Sequence, residues 1–451
     1  MNIIIIGGVA AGAKAASKVK RLLPDANVTI YTEDTHVSYS SCGIPYYIEG
    51  NFEDYQSLLV RSVEEFNAMG INVYLRSRVE KILISQRQIL VCNEEKASLA
   101  DYDKLIIATG ARPFIPKILN SEKFSNIYSV RKIEDAINIR TKMLKSKHAT
   151  IIGSGYIGLE MLEAFVKNGL KVTVIEKNEK IISIFDDDMS DLIFTRLQAD
   201  ENSGNFEFLA GEVVSEFTGD NDEVTMVKTL SGKEIYTDMV VICAGVTPNT
   251  EIAADAGIEL GTTGAIKVNK LMQTSVENIY ACGDCAEKKH IVSGKNVWIP
   301  LGSTANKEGR CAAMNAAGVF EQFEGVLGSA VSRCLNTTMS MTGLTEKEAS
   351  NAGFSPVSVK IDKLDRVGYM PEAGEIHLKV IADKVTGMLL GAQAVGTIGA
   401  DKRINALTPA LLAHMTVEEY SNNDLTYSPP FSTTIDPLIN AMLLLRGKIG
   451  K

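Results

Sequence analysis

A strand, a glycine-rich turn and a helix follow one another at residues 3–23 and again at 149–167, and each copy leads into a second apolar strand, Val28–Tyr31 and Lys171–Glu176. Parallel strands need a crossover, so each copy reads as a βαβ unit whose glycines let a helix N-terminus approach a pyrophosphate. The copies start their turns at Gly7 and Gly153, too far apart for a solenoid repeat and suitably spaced for two separate domains. With 451 residues the chain has room for a third. From about residue 326 the pattern changes to strands at Pro356–Ile361, Glu375–Ile381 and Gly387–Ala394, with a tail of helix and loops from Ile404. This α+β segment has no phosphate-binding glycines, so dimer formation is its expected role.

The second unit, Ile151-Ile152-Gly153-Ser154-Gly155-Tyr156-Ile157-Gly158-Leu159-Glu160, satisfies G-x-G-x-x-G between a strand and a helix. Glu176 closes the next strand, where a carboxylate accepts from a ribose 2′-hydroxyl and repels a 2′-phosphate, so NADH is expected in preference to NADPH. The first unit, Gly7-Gly8-Val9-Ala10-Ala11-Gly12, has Val9 in place of the middle glycine and is weaker taken alone.

Acidic residues outnumber basic ones, 55 to 46, for a net charge of −9. That argues against a nucleic-acid or membrane-surface binder, and an anionic substrate would need a local basic patch. The apolar opening Met1–Gly7 is too short for a signal peptide or a membrane span and reads as a buried strand. Seven scattered cysteines then suggest reduced thiols and a cytoplasmic location.

Three further segments carry a resemblance. Thr274-Ser275-Val276-Glu277-Asn278-Ile279-Tyr280-Ala281-Cys282-Gly283-Asp284, Leu105-Ile106-Ile107-Ala108-Thr109-Gly110 and Val240-Val241-Ile242-Cys243-Ala244-Gly245 stand in the order in which the pyridine nucleotide-disulfide oxidoreductases carry similar motifs. The resemblance covers residues 1–451. It implies an α/β protein with two Rossmann-like dinucleotide-binding domains, for FAD (1–111 and 246–322) and NADH (112–245), and an α+β dimerisation domain (323–451), assembled as a homodimer. FAD would meet Gly7, Gly8, Ala11, Gly12, Val79, Thr109, Gly110, Asp284 and Ala305. Thr32 stands where many relatives place the acid for the adenosine ribose, so that contact is assigned to its neighbour Glu33. The nicotinamide dinucleotide would meet Gly153, Gly155, Tyr156, Ile157, Gly158, Glu160, Glu176 and Gly245, with Tyr156 gating the nicotinamide pocket.

Within Ser38-Tyr39-Ser40-Ser41-Cys42-Gly43-Ile44-Pro45-Tyr46-Tyr47, Cys42 stands where this family sets its redox cysteine. Many relatives close a disulfide five positions later; Tyr47 is there instead. An isolated cysteine is more often a small buried hydrophobe. Beside two nucleotide units, a lone thiolate is instead expected to attack an external disulfide and hold half of it, or to cycle through a sulfenic acid. Cys282 and Cys285 form C-x-x-C but flank Asp284 and lack a second pair, so no metal site is expected. Cys92, Cys243, Cys311 and Cys334 have no motif partner and read as structural.

Ala10 replaces the histidine found in NADH peroxidases and many NADH oxidases. The cysteine segment and Tyr427-Ser428-Pro429-Pro430-Phe431-Ser432 look more like coenzyme A disulfide reductases and persulfide or polysulfide reductases. In those relatives two tyrosines of the partner subunit reach the cysteine, and Tyr369 and Tyr427 match them. Coenzyme A, as substrate or adduct, needs cations. Lys14, Lys18 and Arg21 fall within about 60° on a helical wheel, a pattern that a solvated face also gives and that the resemblance assigns to the substrate. Ser38 and Ser41 match further substrate positions. Gly70 and Ile435 stand where the coenzyme A reductase pattern has lysines, which keeps persulfide, polysulfide and small disulfides open as substrates. An NADH oxidase and a flavin redox sensor or electron-transfer partner with little turnover are the rival readings.

Overall fold

The computed structural model describes residues 1–94 and 96–449; Gly450 and Lys451, assigned above to the third domain, lie outside the described residues. The isoleucine run becomes β1 (Asn2–Ile6), followed by α1 (Ala10–Leu22), β2 (Asn27–Tyr31), α2 (Ile44–Glu49), β3 (Ile71–Tyr74) and β4 (Lys104–Ile107). Ile3, Ile4, Ile5 and Ile6 are all buried because β1 is flanked in a parallel sheet by β2 and β4 and covered on both faces. The glycine turn exists to bring α1 down onto this sheet. A Cβ on Gly7 would lie 2.2 Å from the Ala108 carbonyl oxygen, and one on Gly12 would lie 1.9 Å from that of Gly7. No other residue fits at either position.

The second unit repeats the device. It comprises β5 (Ile127–Ser129), α3 (Ile133–Met143), β6 (His148–Ile152), α4 (Tyr156–Lys167), β7 (Lys171–Glu176), α5 (Asp187–Gln198), β8 (Phe206–Ala210) and β9 (Met239–Ile242). Its parallel sheet has the order β8-β7-β6-β9-β5. Here a Cβ on Gly153 would lie 2.4 Å from the Cys243 oxygen and one on Gly158 2.1 Å from the Gly153 oxygen.

The chain then returns to the first sheet as β10 (Ile279–Ala281), giving β10-β4-β1-β2-β3, and continues into α6 (Gly302–Ala316). Helix α6 packs tightly on α1, since a Cβ on Gly309 would lie 2.3 Å from the Ala11 oxygen. The two crossings between the sheets pair as a short antiparallel ribbon, Ala111–Pro113 with Val246–Pro248. Asn249 seals it: its side chain donates to the Thr109 oxygen at 2.9 Å and its N–H to the Gly110 oxygen at 2.9 Å.

The last segment is β11 (Ala330–Cys334), β12 (Thr337–Gly343), β13 (Pro356–Leu364), β14 (Glu375–Asp383), β15 (Leu389–Gly396), α7 (Ala400–Leu412) and α8 (Pro437–Arg446). Its antiparallel sheet runs β11-β12-β15-β14-β13 against a core shared with α7 and α8. The strand expected from Gly387 begins at Leu389, because Gly387 sits in a left-handed turn at φ +72°. The helix expected from Ile404 begins four residues earlier, at Ala400. Two small antiparallel sheets, at 78–101 and 214–236, were not foreseen, although strands such as Gln88–Cys92 and Glu223–Thr229 alternate more and less buried residues.

Candidate functional site

Cys42 sits in a one-turn helix, Ser41–Gly43, that runs into α2. The segment before it is pinned on two sides: Ser38 donates its N–H to the Gly8 oxygen at 2.8 Å, and Ser40 donates to Leu58 at 2.8 Å. Ser38 accepts φ +52° to make this connection, a cost of about 1–3 kcal/mol for a residue with a Cβ. The thiol is thereby carried to the start of α6, 3.8 Å from where a Cβ on Gly302 would stand. Tyr47, at the position of the second cysteine in many relatives, is a core residue, with the Arg140 guanidinium 4.6 Å from its ring centre.

Cys42 is open to solvent, and among the described residues every cysteine is a free thiol. Partial burial pushes its thiol up, the carboxylates of Glu160 and Asp284 add to this, and Arg131 and the Ser41 hydroxyl oppose it. The uncapped N-terminus of α6 also favours a thiolate nearby. Glu160, on α4, is itself pushed up to about 7, mainly by burial; the Ser332 hydroxyl, donating at 3.2 Å from β11, opposes this and Glu163 adds to it. Cys282 and Cys285 are fully buried and burial raises both thiols. Among the described residues no cluster of His, Cys, Asp and Glu could hold a metal ion.

The residues assigned to FAD converge. Gly283, at φ +81°, brings the turn carrying Asp284 against α1 and α6; a Cβ there would lie 2.9 Å from that of Ala11 and 3.7 Å from that of Ala305. Asp284 pairs with Arg131 at 2.9 Å, and a Cβ on Gly110 would lie 3.4 Å from the same guanidinium. Glu33 is exposed at the end of β2 and pairs with Lys132 at 3.1 Å. Val79 is buried in the core of the first domain. Arg131 and Lys132 escaped the sequence reading; the signal available was a basic pair directly before an amphipathic helix.

The residues assigned to the nicotinamide dinucleotide line a second region. Glu176 is buried and accepts from the Ser154 N–H and hydroxyl and from the Asn178 N–H. Tyr156 opens α4 with a buried hydroxyl that has no partner among the described residues, and its ring meets Phe185 edge-on. Ile157 beside it is exposed. Tyr156 lines a cleft of about 1570 Å³ together with Lys177, Asn178, Phe185, Trp298 and Lys379.

Two observations test whether these residues fit FAD and a dinucleotide. Helices α1, α4 and α6 all begin in this region without a side-chain cap, which leaves their first N–H groups available to anionic ligands. A Cβ on Gly155 would meet no protein atom within 4 Å, and its φ of −69° is open to any residue, so the fold itself has no need for the small residue there. Both features fit.

Lys14, Lys18 and Arg21 lie on α1, with Arg21 exposed and the lysines half-buried. Ser38 and Ser41 are half-buried beside Cys42. Tyr369 and Tyr427 are 74 % and 47 % exposed on the third domain, with no hydrogen bond or ring contact among the described residues. Ile435 is exposed, and Gly70 lies under the Lys20 side chain. No helix among the described residues is long and apolar enough to cross a membrane.

Residues 1–309 match the family model described as pyridine nucleotide-disulphide oxidoreductase, and 334–438 match its dimerisation domain. An NAD(P)H sulfur oxidoreductase (CoA-dependent) from Pyrococcus abyssi is 38 % identical over 97 % of this chain and 96 % of its own length. An NADH oxidase from Methanocaldococcus jannaschii is 32 % identical over 97 % of each. The solved structure of an NAD-dependent persulfide reductase from A. fulgidus superposes with a TM-score of 0.95 at 34 % identity, covering 99 % of this chain and 83 % of that one.

Proposed function

The chain belongs to the pyridine nucleotide-disulphide oxidoreductase family, and we propose that it reduces a disulfide or sulfur substrate with NAD(P)H through FAD and the single cysteine Cys42. The observation that carries the reading is the placement of Cys42: one solvent-open thiol beside the start of α6, with no disulfide partner among the described residues and with the Asp284–Arg131 pair nearby.

Gly7, Gly8, Ala11, Gly12, Glu33, Val79, Thr109, Gly110, Asp284 and Ala305 would hold FAD, to which Arg131 is added as the partner of Asp284. Gly153, Gly155, Tyr156, Ile157, Gly158, Glu160, Glu176 and Gly245 would hold the dinucleotide, and the hydrogen-bonded carboxylate of Glu176 favours NADH over NADPH. When bound, these cofactors supply the two electrons that return Cys42 to its thiolate.

The chain's own part is sulfur exchange. Cys42 Sγ, as thiolate, attacks one sulfur of the substrate; a Cys42–substrate disulfide forms as the substrate bond breaks, and the other half leaves as a thiolate that takes up a proton. Two electrons and one proton then release the second thiol and restore Cys42. Tyr369 and Tyr427 of a second copy complete the site, which accounts for two aromatic side chains left exposed in the first. The substrate is coenzyme A disulfide, a persulfide or a polysulfide, in keeping with the names of the Pyrococcus abyssi and A. fulgidus relatives. Coenzyme A would be held at Lys14, Lys18, Arg21, Ser38 and Ser41.

The Methanocaldococcus jannaschii relative supports a second reading, reduction of oxygen. The holoenzyme under anaerobic conditions separates the two. NADH consumption with coenzyme A disulfide or polysulfide, matched by release of thiol or sulfide, is expected. NADH consumption seen only with oxygen would overturn the proposal.

A further inference from the structure

The one-turn helix Gly283–Cys285, which carries Asp284, has its backbone held from three sides. The Gly283 N–H donates to Glu308 Oε2 at 2.7 Å, and the Gly283 carbonyl accepts from Lys288 Nζ at 3.3 Å. The Asp284 carbonyl accepts from the indole N–H of Trp298 at 2.7 Å. The N–H and the carbonyl of Gly283 belong to two different peptide planes. Because each plane is rigid, fixing both fixes the φ and ψ of Gly283, here at φ +81°, and with them the direction in which the chain presents Asp284. The Asp284 side chain takes no part in this grip and is left to pair with Arg131.

Glu308, on α6, and Lys288 also pair with each other. Glu308 Oε1 lies 3.3 Å from Lys288 Nζ, and the two side chains are 0 % and 1 % exposed. Beyond this ion contact, Oε1 has no hydrogen bond among the described residues. Burial pushes the Glu308 carboxyl up to about 7; the Lys288 charge and the Gly283 N–H oppose this, and Asp284 adds to it. Taking two charges out of water seldom adds stability over apolar side chains of similar volume, so packing alone gives no reason for this pair. A reason lies in what the charges hold, since hydrogen bonds to ionised groups are stronger than neutral ones. Helix α6 begins beside Cys42, so Glu308 ties the cofactor turn to the helix that faces the thiol.

We propose that Glu308, Lys288 and Trp298 are positioning residues for the flavin cofactor, setting the peptide planes on both sides of Gly283 and the one after Asp284 so that the Asp284 carboxylate is held where FAD meets it. This rests on the reading of Asp284 as an FAD residue and is independent of the chemistry assigned to Cys42.

Lys288→Met/Glu308→Leu removes both grips on Gly283 and replaces the ion pair with apolar side chains of similar length, so the chain should fold. Release of FAD from the diluted holoenzyme, followed by the fluorescence of the freed flavin, should show about tenfold weaker binding than in wild type. Lys288→Met/Glu308→Gln, whose amide oxygen still accepts from Gly283, should recover part of the loss. If the first variant does not fold, the second serves alone, with about threefold weaker binding expected. Trp298 is the only tryptophan of the chain, so its emission reads the turn directly, and the maximum should move to the red in both variants as the indole N–H loses its fixed acceptor. FAD binding within about twofold of wild type would overturn the proposal. An equal loss in the two variants would overturn it too, because general loosening of the core takes no account of an acceptor at Gly283, and so would unchanged Trp298 emission. A wild type whose FAD depends on the pair in this way but which reduces no disulfide would sink the reading of Cys42 and leave the positioning role standing.

Discussion

Glu176 Oε2 accepts two hydrogen bonds from Ser154, from the backbone N–H at 2.9 Å and from the hydroxyl at 3.0 Å. Because Ser154 lies between Gly153 and Gly155, this fixes a carboxylate at the turn expected to meet the dinucleotide. No cation lies within 4.0 Å of it among the described residues, so its charge is uncompensated by an ion pair.

Glu176→Gln keeps a hydrogen-bonding side chain and removes the charge. The preference for NADH should narrow by about tenfold, chiefly through a gain with NADPH, because the repulsion of a 2′-phosphate is lost. Steady-state kcat/KM with each nucleotide checks this. Equal efficiency in the wild type, or an unchanged ratio in the variant, would refute the assignment.

The carboxyl of Glu160 is pushed up to about 7, and its ionised form is one reason the Cys42 thiol stands above its ordinary value. Above pH 7 the negative charge on Glu160 opposes formation of the thiolate. Glu160→Gln removes that charge, so the pH midpoint for alkylation of Cys42 by iodoacetamide should move down and the rate at pH 8 should rise. An unchanged or higher midpoint would show that Glu160 does not act on the thiol.

Tyr369 and Tyr427 are exposed on a domain that matches a dimerisation model, which predicts sites shared between subunits. Neither Cys42→Ser nor Tyr427→Ala dimers should turn over well. Hybrids formed by refolding or exchanging the two together pair an intact Cys42 with an intact Tyr427 in one of their two sites. Activity should return to about a quarter of wild type in an equal mixture. No recovery, with hybrids demonstrated by mass, would place the tyrosines outside the site.

Much of this arrangement was legible because backbone geometry writes itself into sequence. Gly7, Gly12, Gly153 and Gly158 are dictated by carbonyl oxygens 1.9–2.4 Å from where a Cβ would stand, and only glycine meets that demand. Cys42 was singled out by its motif, and Tyr47 by standing where many relatives have a second cysteine. Arg131 was passed over: a basic pair directly before a helix was its one local signal, and its partner Asp284 is 153 residues away. The two small antiparallel sheets carry a period-two alternation in place of the continuous apolar runs that revealed the parallel ones.

The central claim is that Cys42 carries the sulfur chemistry while the rest of the site handles the cofactors. Cys42→Ser leaves both glycine turns and the Asp284–Arg131 pair untouched, and the residue is solvent-open, so FAD retention and anaerobic reduction of the flavin by NADH should persist. Reduction of coenzyme A disulfide or polysulfide should fall to background, because a serine hydroxyl ionises far above neutral pH and cannot form the mixed disulfide. A Cys42→Ser protein that still reduced either substrate at near wild-type rates would contradict the account.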